Sequence, residues 1–236
     1  MSDELKKLFQ EEFKAASVDL KQQSACDSVI RFYDRHDKKL GDAVNTSATK
    51  PACGVGCWYC CYYKVVASPV EVFAIVRYVK QKFQPFERQR ILEESRKNVI
   101  QVQGMTQQEH LATNQKCPFL VDHRCSIYSV RPSKCRNYHA SNVDHCKETY
   151  ERPTESSIPN SLIADVYTIS NVSSAGFEHA VSKHGLDSRA YDLNSAFVEA
   201  MENPNRQKRY RDGKKAFLDA KFEEIVPHKS PPKPIV

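Results

Sequence analysis

Ser68-Pro69-Val70-Glu71-Val72-Phe73-Ala74-Ile75-Val76-Arg77-Tyr78-Val79 is the stretch on which the fold class turns. A serine that can cap, a proline at the first helical position and a glutamate three residues after the serine make a capping box. Val72, Ile75, Val76 and Val79 then recur at spacings of three and four, so they mark one buried helical face. Pro85 separates this helix from a second one, expected from about Phe86 to Val102 with Ile91, Leu92, Val99 and Ile100 inward.

Further out, Leu5, Leu8, Phe9, Phe13, Val29, Ile30 and Tyr33 carry helical spacing through the first 44 residues, with a break expected near Ser17. Two more helical stretches are expected near 161–184 and 188–202. The chain shows no internal repeat and no strand alternation, and it has only seven glycines, which argues against a turn-rich all-β architecture. The expectation is a mostly α protein in which irregular cysteine-rich metal-binding loops pack on a helical domain. Its expected divisions are an N-terminal helical segment at 1–48, a cysteine-cluster metal-binding domain at 49–150, a C-terminal helical region at 151–226 and a disordered tail at 227–236 holding four prolines.

A chain of 236 residues can bury a full hydrophobic core, so its nine cysteines are not required to staple a miniature fold. The opening MSDELKKLFQEEF lacks the apolar core of a signal peptide, and no apolar run nears the roughly 18 residues of a membrane span. The expected compartment is cytoplasmic, with no membrane partner. In a reducing compartment such cysteine density points to metal or redox chemistry rather than to disulfides. The formal charge of +6 counts no thiolates. Two four-thiolate centres of about −2 each would lower it to roughly +2, so basicity is weak support for a nucleic-acid partner.

Eight of the nine cysteines fall in two blocks. The first reads Cys53-Gly54-Val55-Gly56-Cys57-Trp58-Tyr59-Cys60-Cys61. Three thiolates at spacings of four and three can converge on one metal or cluster, while Gly54 and Gly56 let the backbone approach and aim amide N–H groups at sulfur. Cys53, Cys57 and Cys60 would also share a helix face, the alternative being an apolar stripe, but two intervening glycines make a poor helix. Cys60 and Cys61 are adjacent, and neighbouring side chains point apart in extended chain, so one can serve a first centre while its neighbour reaches a second; a bridging role or one free thiol are the alternatives.

The second block runs from Cys117 through Cys125 and Cys135 to Cys146 and lacks the compact C-x2-C of zinc ribbons. Arg124, Arg131, Lys134 and Arg136 can offset thiolate charge. Phe119, Leu120, Ile127, Tyr128 and Val130 can wall the site off from water. His123, His139 and His145 lie within this block as substitute ligands. Cys26 sits in a predicted helix as an ordinary buried cysteine. The basic run from Asn205 to Lys215 reads as a solvated helix end in preference to an RNA or acidic-partner surface.

The first block, followed by Cys117-Pro118-Phe119-Leu120 and then RCSIYSVRPSKCRNY, resembles the YkgJ-like cysteine-cluster family, the zinc- or iron-chelating domain proteins also called CxxCxxCC. The resemblance covers roughly 53–146. It implies metal binding through Cys53, Cys57, Cys60, Cys61, Cys117, Cys125, Cys135 and Cys146, with an iron–sulfur cluster or zinc as cofactor. The first gap here is three residues, where the family's name implies two. Some members are distantly similar to flagellin lysine N-methylases, which adds a methylation alternative.

The three-residue gap also makes Cys53-x3-Cys57-Trp58-Tyr59-Cys60 satisfy the radical-SAM pattern, but no strand–helix alternation or Gly-Gly-Glu-like segment accompanies it. A cluster-dependent enzyme, methyltransferase-like or redox, is therefore the alternative reading, and a thiol–disulfide module is a third.

Overall fold

A computed structural model describes residues 1–223. The chain opens with α1 (Asp3–Gln22) and α2 (Ala25–Thr46). The turn between them lies at Gln23–Ser24 rather than near Ser17, which sits inside α1. The capping chemistry explains the shift: Ser24 Oγ accepts the Asp27 N–H and starts the second helix, a role that Ser17 has no acidic partner to support.

A 3₁₀ turn (Tyr59–Tyr62) and β1 (Val66–Ala67) lead into α3 (Pro69–Lys82) and α4 (Pro85–Gln101). The capping box at Ser68 forms as expected, with Glu71 accepting the Ser68 backbone N–H at 2.9 Å. On α4 the inward face differs from expectation. Ile91, Ser95 and Asn98 are buried, whereas Ile100 is 69% exposed. Asn98 is directed inward because its amide donates to the Lys116 carbonyl and to Asn194 on a neighbouring helix.

Next come α5 (Gln107–Leu111), the hairpin of β2 (Leu120–Val121) and β3 (Arg124–Cys125), α6 (Ser133–Arg136) and α7 (Val143–Glu151). The long α8 (Ala164–Lys183) follows, then β4 (Ala190–Asp192), α9 (Leu193–Glu202), α10 (Asn205–Arg211) and β5 (Phe222–Glu223). The fold is mostly α, with ten helices among the described residues. The helix expected from 188 starts only at Leu193, because 190–192 pair antiparallel with β1 and β5 as the middle strand of a small sheet. The tail expected at 227–236 lies outside the described residues.

The core joins α2, α3, α8 and α9 around Phe32, Ile75, Phe177, Tyr191 and Phe197, with Phe32 and Phe177 stacked at 4.4 Å. Helix α1 lies tightly on α8 at Gly176, where a Cβ would meet the Phe9 carbonyl oxygen at 2.7 Å. Cys26 is buried in α2, as expected of an ordinary core cysteine. In the basic run, Arg206 pairs with Glu199 and Asp219, and Arg209 donates to the Lys215 carbonyl. That segment is therefore tied into the fold.

Candidate metal centre

The loop carrying Cys53 and Cys57 is not helical. Gly56 sits at φ +88°, a left-handed conformation, and the Cys57 N–H closes a turn on the Gly54 carbonyl at 3.1 Å. The apolar-stripe alternative therefore falls away for 53–57. The loop docks on the far end of the second block: the Ala52 N–H donates to Ala140 O at 2.8 Å, and the Ala140 N–H donates to Cys53 Sγ at 3.3 Å. Cys60 and Cys61 follow within the 3₁₀ turn.

That turn also receives the start of the second block. The Cys117 N–H donates to Cys61 O at 2.8 Å, and the Gln115 N–H donates to Tyr62 O at 3.0 Å. Cys125 lies on β3, Cys135 on α6 and Cys146 on α7. Three of these second-block ligand candidates thus occupy short regular elements instead of irregular loop. Helix α7 packs its Tyr150 on Trp58, Tyr59 and Tyr62 around the 3₁₀ turn. Phe119, Leu120, Ile127 and Val130 are buried as the dry wall requires, but Tyr128 is 64% exposed and stands outside it.

Two buried charged side chains, hidden within helical motifs, hold the second block in place. Glu71 accepts from the Ser133 N–H (2.8 Å), Ser133 Oγ (2.6 Å), Ser68 Oγ (3.0 Å) and Tyr33 Oη (3.2 Å), in addition to its own cap. It thereby fixes the residue two places before Cys135. Arg136 is 1% exposed. It donates to the carbonyls of Arg131 and Ser129 and to Asp37, and its guanidinium lies 3.9 Å over the Tyr33 ring. Sequence reading saw Glu71 only as a cap. That it also faces Ser133, 62 positions away, is set by tertiary packing.

The cysteine sulfurs lie within electrostatic reach of one another, and Cys60 is their common neighbour. Its charge bears on Cys57 and Cys146 on one side, and on Cys117, Cys125 and Cys135 on the other. Cys53 in turn acts on Cys57 and Cys146. Cys26 takes no part, its neighbouring charges being Arg77 and Asp27.

Burial is the main reason the thiols of Cys57, Cys117, Cys125, Cys135 and Cys146 are raised above 9.0, with neighbouring sulfurs adding to it. Cys60 is raised first by a hydrogen bond to the Cys61 side chain and then by burial.

Opposing these effects are backbone amides, which favour the thiolate form: Tyr59 on Cys57, Phe119 on Cys117 and Ile127 on Cys125, each two residues beyond its cysteine. Arg131 favours it at Cys60, Cys125 and Cys135, and Arg136 at Cys125. Arg124 and Lys134 are exposed. Of the histidines, His145 is engaged with Ser161 Oγ at 2.6 Å, and His123 lies against Trp58 on the hairpin tip at φ 60°. Half-buried His139 has an Nδ1 without a protein partner.

Among the described residues, no three sulfur, imidazole or carboxylate donors already close on one point as a finished metal shell. The donor set nevertheless suits a thiophilic metal: several thiols gathered, amide N–H groups directed at sulfur, and two guanidinium groups acting on them. The sheet pairings are all antiparallel among the described residues, so the partial parallel barrel of the radical-SAM reading has no counterpart there. No helix of the described residues is long and apolar enough to cross a membrane. Residues 52–156 match the family model CxxCxxCC, described as a putative zinc- or iron-chelating domain. No curated protein and no solved structure matches the chain.

Proposed function

Taking the match of residues 52–156 to the zinc- or iron-chelating family as premise, we propose that this protein holds zinc or iron(II) ions through its cysteine thiolates. The observation that carries the reading is the gathering of Cys53, Cys57, Cys60, Cys117, Cys125, Cys135 and Cys146 around the 3₁₀ turn, where the Ala140 N–H bonds Cys53 Sγ and the Cys117 N–H bonds the Cys61 carbonyl. Disulfide cross-linking would remove the thiolates on which the reading depends, and all nine cysteines are free.

The residues act as follows. Neutral thiols give up their protons when an ion binds, so binding releases protons to solvent and tightens as pH rises. Arg131 and Arg136 counter the negative charge that accumulates on the sulfurs. Phe119, Leu120, Ile127 and Val130 keep water from one side of the site. The bound metal would supply a thiolate-coordinated centre that ties the two blocks together.

The test is anaerobic purification followed by elemental and acid-labile sulfide analysis. Zinc or iron in stoichiometric amount, lost on replacing Cys117 or Cys135 by serine, is the expected result. Absence of both metals refutes the reading. An iron–sulfur cluster is the second reading, favoured by the C-x3-C-x2-C loop with its amide donors. Labile sulfide together with a broad absorption shoulder near roughly 400 nm would select it over simple ions.

A further inference from the structure

Of the nine cysteines, Cys53 is the one that stands exposed to solvent; Cys26 and Cys146 are buried and the rest lie between these limits. The contrast follows from what holds each segment. Cys117 has its N–H on the Cys61 carbonyl at 2.8 Å, and Cys125 sits on a strand opposite Leu120. Cys135 follows Ser133, whose N–H and hydroxyl are accepted by Glu71 at 2.8 and 2.6 Å, and Cys146 lies within α7 at 6% exposure. Trp58, between Cys57 and Cys60, packs edge-on against Tyr62 and Tyr150 at 5.4 and 5.1 Å.

The run 52–56 is built differently. It is exposed throughout, with Val55 93% exposed at its tip. Gly54 and Gly56 face open space, since nothing would lie within 4 Å of a Cβ on either. The start of the run is tied to Ala140, whose carbonyl accepts the Ala52 N–H at 2.8 Å and whose N–H donates to Cys53 Sγ at 3.3 Å. Ala140 is itself fully buried and bridges to Leu162. The donor that faces the Cys53 sulfur is therefore fixed in the fold, whereas the loop beyond that sulfur reaches into solvent.

We propose that the Cys53 loop is the exchange edge of the metal site: a partner molecule bearing a thiolate reaches the ion there, and Cys53 is the ligand it displaces. A four-coordinate ion of this kind can take a fifth ligand before it loses one, so exchange is fastest where an incoming group has room to approach. The incoming thiolate forms one metal–sulfur bond while the bond to Cys53 breaks. One thiolate enters, one leaves, and no electron is transferred. The Ala140 N–H is placed to hold the departing Cys53 sulfur. The ion specifies the partner's chemistry, because soft sulfur competes for a thiophilic metal where carboxylate or carbonyl oxygen does not. The inference rests on the zinc or iron(II) reading above.

The experiment uses the full chain, loaded anaerobically with zinc, and a peptide carrying four cysteines as acceptor. Transfer from wild type is expected to speed up in proportion to acceptor concentration. Cys53→Ser should keep the wild-type zinc content without acceptor and hand its zinc over about tenfold faster, because the displaced group is a weaker ligand. An unchanged or slower transfer in Cys53→Ser, loss of its zinc without acceptor, or a wild-type rate independent of acceptor concentration overturns the proposal. Should Cys53→Ser fail to fold, a brief iodoacetamide pulse on the zinc-loaded wild type, read by peptide mass spectrometry, decides. Labelling of Cys53 about tenfold ahead of Cys117, Cys135 and Cys146, with zinc transfer accelerating in step, supports the exchange edge. Earlier labelling of another cysteine, or transfer that does not accelerate, refutes it. A wild type that holds neither zinc nor iron removes the zinc or iron(II) reading itself, a result distinguishable from zinc that is held but not exchanged at Cys53.

Discussion

Replacing Glu71 by alanine would separate the anchoring of the metal loop from the metal itself. The carboxylate is 5% exposed and accepts five hydrogen bonds, from the N–H and hydroxyl of Ser68, the N–H and hydroxyl of Ser133, and the hydroxyl of Tyr33. The three hydroxyls can turn to other acceptors, but the two backbone N–H groups cannot. One of these is the orphan donor at the start of α3, whose loss costs roughly 1 kcal/mol as for other caps. The other, at Ser133, is buried and left without a partner, at about 1–3 kcal/mol. Removing the Cγ methylene and the carboxyl group adds a cavity contribution of roughly 1 kcal/mol.

The expected destabilisation of the metal-free protein is therefore about 3–5 kcal/mol, or roughly 6–20 °C in Tm for a chain of this size. Urea unfolding of wild type and variant, followed by far-ultraviolet circular dichroism, measures it, with an unchanged m value expected. Because Ser133 precedes Cys135 by two positions, the folded variant should also release metal faster. A loss below about 1 kcal/mol would refute the view that this carboxylate anchors the second block.

Other perturbations test other parts of the structure. Gly176→Val places a Cβ 2.7 Å from the Phe9 carbonyl oxygen, so it should part α1 from α8 and cost about 1–3 kcal/mol in thermal unfolding. Burial, then the Glu71 charge, push Glu178 up to about 7 from 4.5. Stability from its neutral form is therefore complete below about pH 4.5 and lost as pH rises through 7. Glu178→Gln should remove that dependence, gaining on the order of 3 kcal/mol over wild type by pH 8 in pH-resolved denaturant titrations.

The raised thiols work the same way in the metal-free protein, whose stability should fall as pH climbs above 9. The loaded protein should instead lose metal on acidification, seen as chelator-free release between about pH 6 and 4.

Much of the helical architecture was legible because it is written locally. Ser68, Pro69 and Glu71 start α3 by capping chemistry that spans four residues, and Pro85 starts α4 in the same way. The Ser17 break was misread because the apolar spacing weakens there, although the capping signal lies at Ser24. Strand β4 was invisible because three residues carry too little alternation, and its pairing with Val66 and Ala67 spans more than a hundred positions.

For the candidate site, the eight cysteines and the non-helical glycine loop were evident from spacing. The anchoring by Glu71 and Arg136 was not, since it depends on Tyr33, Asp37 and Ser133 arriving from distant elements. The sequence by itself determined residue chemistry and short-range geometry: mostly helical, with thiols in two blocks suited to metal. Only the tertiary structure decided that α7 and the segment at Cys117 both meet the 59–62 turn, because a chain's long-range contacts follow from packing a shared core rather than from any local pattern.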